Sequence, residues 1–338
     1  MRIAIVNDLV MTVEALRRVI STVPEYEIAW IAYNGAEAVE KSAEDKPDLI
    51  LMDLIMPVMN GVQATSEIMK NTPCPILVVT ATVSGNAALV FEAMGFGALD
   101  AVCTPVFGNQ GQIEGKDELL KKITTIRKFI GKNGSGSRSE LSKNYLPQAV
   151  CPLIAIGCST GGPKALADIL ANMPADPGAS IVIVQHVDVQ FAQGLADWLN
   201  EQSQLTVTIA AEGIKPQKDT VYIAETNDHL VIDSDLKFHY TPEPLSYPYR
   251  PSVDTFFYSL EKYWPEKNCA ILLTGIGQDG AKGLGALQNA GWYTIAQDEK
   301  SSIVYGMPKK AAELGAAKDI LALDQIVDAI MRFLNKRG

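Results

Sequence analysis

Three side chains in the second half of the chain, Ser159, His186 and Asp279, have the types that a nucleophile, a general base and an orienting carboxylate require. Ser159 lies in PLIAIGCSTGGPKAL, where an apolar run enters the turn Gly157-Cys158-Ser159-Thr160-Gly161-Gly162 and a helix is predicted from near Pro163, a favoured first helical position. Such a turn exposes a serine hydroxyl beside the backbone N–H groups of a helix N-terminus, which suits an anionic intermediate. Taken alone, such a string more often binds phosphate or a nucleotide, or merely turns the chain. His186 closes the apolar run SIVIVQH, and CAILLTGIGQDG carries Asp279. Alone, any one of His186, His229 and His239 reads as a surface or capping residue, and Asp279 can cap a helix starting at Gly280. Together they place serine, imidazole and carboxylate at the carboxyl ends of three predicted strands.

A second set stands in the first half. Asn7 and Asp8 follow IAIV, Asp53 follows LILM, and Thr80 follows PILVV. In open α/β sheets ligands bind at the carboxyl ends of strands. Two carboxylates and an amide converging there suit a hard cation such as Mg²⁺, and a carboxylate beside that cation can accept a phosphoryl group. Thr80 would donate to a phosphoryl oxygen. The plainer alternative is that a strand-end aspartate only caps the next helix.

Both sets require parallel sheets. In residues 1–131 the runs IAIV, YEIAWIA, LILM, PILVV and ALDAV alternate with helices predicted near 11–22, 35–44, 61–70, 84–95 and 116–130. That pattern predicts a doubly wound, flavodoxin-like domain. Residues 132–149, rich in Gly, Ser and charge, read as a flexible linker. Residues 150–338 hold PLIAIG, SIVIVQH, LTVTIA, TVYIAE, HLVID, CAILLT and WYTIAQ. They predict a second doubly wound α/β domain in which TVYIAE and HLVIDS, split by TND, form an inserted β-hairpin.

Bulk properties narrow the function. The 338 residues exceed one typical core, and the net charge of −10 argues against nucleic acid and anionic membrane as partners. No apolar run approaches a membrane span, and the N-terminus lacks the apolar stretch of a signal peptide. The five cysteines show no CxxC spacing and read as thiols of a reducing compartment. A cytoplasmic protein is expected.

MDLIMPVMNG, with ND after the first strand and VVTAT at the fourth, resembles the response-regulator receiver family across residues 1–130. The resemblance implies Asp53 as phosphoacceptor, Asp8 and Asp53 as Mg²⁺ ligands and Thr80 as the switch hydroxyl. Three positions depart from the family: Asn7 replaces an acid, Thr104 replaces a lysine, and Ala101 replaces the aromatic switch residue. They put the coupling of phosphorylation to conformational change in question.

GCSTGGPKAL, QHV, VYIAETNDHL, RPSVDTFF, ILLTGIGQDGAKGL and IAQDEKSSIVYGMP together resemble the catalytic domain of the chemotaxis protein-glutamate methylesterases, the CheB family. The resemblance implies Ser159 as nucleophile, His186 as base and Asp279 as its partner, with the Ile276 N–H and the Thr160 hydroxyl as oxyanion donors. Ile276 stands where the family has methionine, and QHVD where it has QHMP. VND and the TP after strand 5 look like the WspF-type branch, whose members serve surface-sensing pathways feeding a diguanylate cyclase. The implied reaction is hydrolysis of glutamate methyl esters, with deamidation of glutamines, on cytoplasmic helices of methyl-accepting chemoreceptors. No cofactor is implied for hydrolysis. A CheA-type histidine kinase is the implied phosphodonor, and the unphosphorylated receiver is implied to restrain the esterase. Two alternatives are a nucleotide-binding domain, which would need an acidic ribose partner or P-loop lysine that the sequence lacks, and a non-catalytic receptor-docking regulator with a degenerate receiver.

Overall fold

Runs of aliphatic and β-branched residues bounded by turn residues form the strands, and the amphipathic stretches between them form the helices. A computed structural model describes residues 1–81, 83–108, 112–131, 150–247 and 249–336. The chain divides into two units, Met1–Ser135 and Gly136–Gly338, each with its own parallel sheet. The expected linker, 132–149, lies outside the described residues.

The first unit runs β1 (Arg2–Val6), α1 (Val10–Ile20), β2 (Glu27–Ala32), α2 (Gly35–Glu44), β3 (Leu49–Met52), α3 (Gly61–Asn71), β4 (Ile76–Thr80), α4 (Val83–Gly95), β5 (Asp100–Cys103), a short pair β6 (Val106–Phe107) and β7 (Ile113–Glu114), and α5 (Lys116–Gly131). Its sheet has the order β2-β1-β3-β4-β5, the flavodoxin-like arrangement. Every residue of β3 and β4 is buried, as strands covered on both faces must be. Val6 pairs with Met52, so β1 and β3 end level and deliver Asn7 and Asp53 to one edge. The loops leaving that edge stop in capped helices: Asn34 accepts from the Glu37 N–H to begin α2, and Asn60 and Gln63 form a capping box at α3.

The second unit runs β8 (Leu153–Cys158), α6 (Gly162–Asn172), β9 (Ser180–Gln185), α7 (Val189–Gln202), β10 (Thr206–Ile209), β11 (Thr220–Ile223), β12 (His229–Ile232), β13 (Phe238–Thr241), α8 (Val253–Tyr263), β14 (Cys269–Leu272), α9 (Ala281–Asn289), β15 (Tyr293–Gln297), α10 (Met307–Glu313), β16 (Asp319–Leu321) and α11 (Leu323–Asn335). The main sheet is seven-stranded, in the order β10-β11-β9-β8-β14-β15-β16. β8, β9 and β14 are buried throughout. Val253, Phe256, Phe257 and Leu260 of α8 share one core with Ala155, Val184 and Leu272 of these strands, which fixes the first turn of α8 near their carboxyl ends.

The inserted hairpin exists, but not between the expected strands. TVYI is β11, paired in parallel with β9 and β10, while His229–Ile232 pairs antiparallel with Phe238–Thr241 in a separate two-stranded sheet. The closing turn is the DSDLK stretch, where Asp233 Oδ1 accepts from the Asp235 and Lys237 N–H groups and Leu236 takes φ 63°. TND also turns the chain, with the Asp228 N–H donating to Thr226 Oγ1, yet the strands on its two sides enter different sheets. Among the described residues no helix is long and apolar enough to cross a membrane.

Candidate active site

β8 lies between β9 and β14, with Cys158 opposite Gln185 and Gly157 opposite Leu272. The residues that follow these strands therefore meet at one edge. The His186 N–H donates to the Cys158 carbonyl at 3.1 Å, which sets His186 beside the turn carrying Ser159. Gln185, itself buried, donates from Nε2 to the Ser159 carbonyl at 3.0 Å and the His186 carbonyl at 3.1 Å. The serine turn and the histidine are thus tied by backbone and by side chain.

His186 Nε2 bonds Asp279 Oδ2 at 2.7 Å. Nδ1, the other ring nitrogen, is buried and has no hydrogen-bond partner, so the Ser159 hydroxyl does not yet reach it. Catalytic hydrogen bonds are commonly long in a free enzyme and tighten with substrate. With Nε2 committed to the carboxylate, Nδ1 is the nitrogen available to a proton on Ser159. This is the reverse of the arrangement in which Nδ1 faces the carboxylate and Nε2 the serine.

Asp279 does not cap α9, whose N-cap is Gly280. Its carboxylate points to the N-terminus of α8, where Oδ1 accepts from Ser252 Oγ at 2.8 Å and the Asp254 N–H at 3.1 Å, and Oδ2 accepts from the Val253 N–H at 2.7 Å. Burial pushes this carboxyl up, but the bond and electrostatic attraction to His186 and the α8 N–H groups win and hold it below the ordinary carboxylate range. The neighbouring Asp254, also buried, accepts from the Gly283 N–H at 2.7 Å. Its carboxyl is pushed up to about 7, chiefly by burial and then by Asp279. The two buried acids therefore divide the roles: Asp279 is ionised and Asp254 keeps its proton longer.

A second histidine stands behind this carboxylate. His229 is fully buried, its Nδ1 accepts from the Ser252 N–H at 3.1 Å, and its Nε2 faces the Pro244 carbonyl at 3.4 Å. Those partners select the neutral Nε2–H tautomer, and burial lowers its pKa first of all. It braces Ser252 through the Ser252 N–H. His239 is exposed and paired with Glu212.

Two backbone N–H groups of the serine turn are already committed. The Ser159 N–H is taken by the Thr274 carbonyl at 3.0 Å and the Gly162 N–H by the Ser159 carbonyl at 2.7 Å, so neither serves an oxyanion. The loop carrying Ile276 is braced by Gly275 N–H to Val304 O and Met307 N–H to Gly275 O. Thr274 Oγ1 donates to the Thr160 carbonyl at 2.9 Å, joining that loop to the serine turn. A side chain at Gly275 would strike Ser159 Cβ at 2.8 Å, so this position must remain glycine for the two loops to touch. Thr160 and Ile276 are both buried at this junction. Sequence reasoning missed Ser252, Thr274 and Tyr249; only the serine in RPSVD, one residue before a helix, carried the signature of an N-cap.

In the first unit Asn7 Nδ2 donates to Asp53 Oδ2 at 3.0 Å, and Asp53 Oδ1 accepts from the Leu54 N–H at 2.7 Å. Burial, with the nearby Asp8 charge adding to it, pushes the Asp53 carboxyl up to about 6. Thr80 is buried one strand away, and the Thr104 N–H donates to its carbonyl at 3.0 Å. Two mutually repelling carboxylates at a strand edge fit Mg²⁺, which needs only one or two carboxylates and keeps several waters.

A flavodoxin-like unit with an acidic pocket, followed by a doubly wound unit with serine and histidine at adjacent strand ends, defines a response-regulator hydrolase. Residues 154–330 match the CheB methylesterase family model, and residues 3–111 match the response regulator receiver domain; the chain belongs to the CheB methylesterase family. It is 52% identical over 327 residues to a protein-glutamate methylesterase/protein-glutamine glutaminase of Burkholderia orbicola, covering 96% of this chain and 97% of the relative. It is 50% identical to one of Mesorhizobium japonicum, covering 98% of each chain. The crystal structure of the Thermotoga maritima CheB methylesterase catalytic domain covers 54% of this chain and 99% of its own, with 34% identity and a TM-score of 0.52.

Proposed function

We propose that this protein is a phosphorylation-regulated protein-glutamate methylesterase that also deamidates protein glutamines. The observation that carries the chemistry is His186, bonded through Nε2 to Asp279 and holding a buried, unpartnered Nδ1 beside the serine turn. Ser159 Oγ attacks the γ-carbonyl carbon of a glutamyl methyl ester while His186 Nδ1 takes its proton. The carbonyl electron pair moves to oxygen, where the Ile276 N–H and the Thr160 hydroxyl are the candidate donors. Collapse expels methoxide, the proton from Nδ1 completes methanol, and a glutamyl-serine ester remains. Water, deprotonated by the same nitrogen, cleaves that ester to the free glutamate side chain and Ser159. A glutamine substrate follows the same path with ammonia leaving.

Chemistry of this class suits the cytoplasmic helices of methyl-accepting chemoreceptors as substrate, which sets the enzyme in the cytoplasm. Asp53 is the proposed phosphoacceptor and a CheA-type histidine kinase the proposed donor. Mg²⁺, when bound, would offset negative charge on the transferring oxygens; Asp8 and Asp53 would hold it. Asp53 supplies the nucleophilic carboxylate oxygen, and Thr80 is the proposed hydroxyl contact.

Methanol release from methylated receptor membranes tests the reading. Wild type should release it and Ser159→Ala should not. Absence of release by the phosphorylated wild type would leave the docking-regulator alternative in possession.

A further inference from the structure

The His186 ring is held by hydrogen bonding at one atom only, Nε2. Rotation about the side-chain torsions would carry Nδ1 away from Ser159, and hydrogen bonding opposes it only through Nε2. The plane is fixed by something else. Tyr249 stacks on the imidazole with ring centroids 4.4 Å apart and planes 7° from parallel. The same phenol reaches the neighbouring loop: a side-chain carbon at Gly277 would come within 3.2 Å of the Tyr249 hydroxyl, and Gly277 has φ +88°. The Tyr249 hydroxyl thus lies against the loop at Gly277, one residue beyond Ile276.

The residues around Tyr249 are tied down. Arg250 Nη2 donates to the Leu245 carbonyl at 3.2 Å, and the Tyr247 ring meets the buried His229 edge-on at 6.0 Å. His229 in turn braces Ser252, which donates to Asp279. One short stretch of chain thus holds the base on two sides, through Asp279 at its edge and Tyr249 on its face.

We propose that Tyr249 is a positioning residue for the esterase: its ring sets the plane of His186 so that Nδ1 faces Ser159, and it stabilises the imidazolium that forms when Nδ1 takes the proton. An aromatic face is attractive to a planar cation as well as to a neutral ring, so the stack is stronger in the transition state than before it. The effect belongs in the chemical step and not in receptor binding. This inference rests on His186 as the base.

The test uses the full-length chain with two readouts, methanol release from methylated receptor membranes and the rate at which a fluorophosphonate probe labels Ser159. The probe needs an activated serine but no receptor contact. Tyr249→Leu should lower both kcat and the labelling rate about three- to tenfold, the usual worth of an aromatic pair, with KM within about twofold of wild type. Tyr249→Phe keeps the ring and should retain at least about half of both rates. Labelling of Tyr249→Leu at the wild-type rate would overturn the proposal, and so would equal loss in the Phe and Leu variants. Tyr249→Gln serves the same comparison should the leucine variant not fold. Failure of the base assignment looks different: Ser159→Ala or His186→Ala would then be labelled or active, whatever the Tyr249 variants do.

Discussion

Ser252 Oγ donates to Asp279 Oδ1 over 2.8 Å, on the carboxylate oxygen that His186 does not use. The same hydroxyl oxygen accepts from the Thr255 N–H at 3.3 Å and so caps α8. One atom couples a helix start to the orientation of the base. Ser252→Ala removes both bonds. We expect a stability loss of about 1 kcal/mol from the lost cap and a drop in kcat on the order of tenfold, since a hydrogen bond to a charged group contributes about 1.5–3 kcal/mol. Chemical denaturation and steady-state methanol release measure the two effects, and KM should not move.

Ser159→Ala and His186→Ala should each remove nearly all activity, on the order of 10⁴-fold or more, because members of such a set act as a unit. Asp279→Ala should leave roughly tenfold more turnover than Ser159→Ala, since the carboxylate orients the base and does not react. It should nevertheless be the least stable of the three. Its loss strands the Val253 and Asp254 N–H groups, which both donate to it in the folded protein, at about 1–3 kcal/mol each. Thermal unfolding in which Asp279→Ala matched Ser159→Ala would contradict that account.

Asp254 makes stability depend on pH. Folded Asp254 holds its proton up to about pH 7, whereas the unfolded chain releases it near ~3.9. Between those values the folded state binds more protons, so stability falls as pH rises through that window. Asp254→Asn removes the titrating group and keeps an acceptor for the Gly283 N–H. The fall in unfolding free energy between pH 5 and pH 7 should therefore be shallower in the variant, measured by urea denaturation across the series. An unchanged slope would assign the dependence to other groups.

The receiver carries a charge relationship of its own. Asn7 donates directly to Asp53 Oδ2, so Asn7→Asp replaces a donor by a second repelling carboxylate. Mg²⁺ affinity should rise, by roughly tenfold, and the metal-free protein should lose stability. Thr104→Lys returns a positive charge and should offset part of that loss. The two changes should show a coupling on the order of 1 kcal/mol, as neighbours in one network do. Isothermal titration with Mg²⁺ and acyl-phosphate formation in wild type, both single variants and the double variant decide it; strict additivity removes the charge-compensation idea.

Much of this was legible in the residues, and the limits were physical. LILM and GAEAVEKSAE appear as β3 and α2 with the bounds their patterns suggested, because fully buried strands and single-faced helices leave a strong periodic signal. Ser159, His186 and Asp279 stood out because each follows an apolar run. The partners that hold them did not: Ser252 meets Asp279 across 27 residues, and no local pattern records such a contact. Which nitrogen of His186 faces the carboxylate depends on the ring's rotamer, to which sequence is blind. TVYI and HLVI both look like strands beside a turn, and only the sheet pairing shows that they part. β16, three residues long, is too short for any periodicity.

The bond from the first turn of α8 to Asp279 has a dynamic consequence. Helix ends open before strands in the centre of a sheet, so the bonds to Asp279 and the burial of Val253 are what keep the start of α8 closed. When that turn opens, the Val253 and Asp254 amides exchange with solvent and Asp279 loses its anchor, while β8 and Ser159 stay ordered. Opening of that turn would leave an intact serine beside an idle imidazole, and deuterium uptake by those two amides would measure how often it occurs.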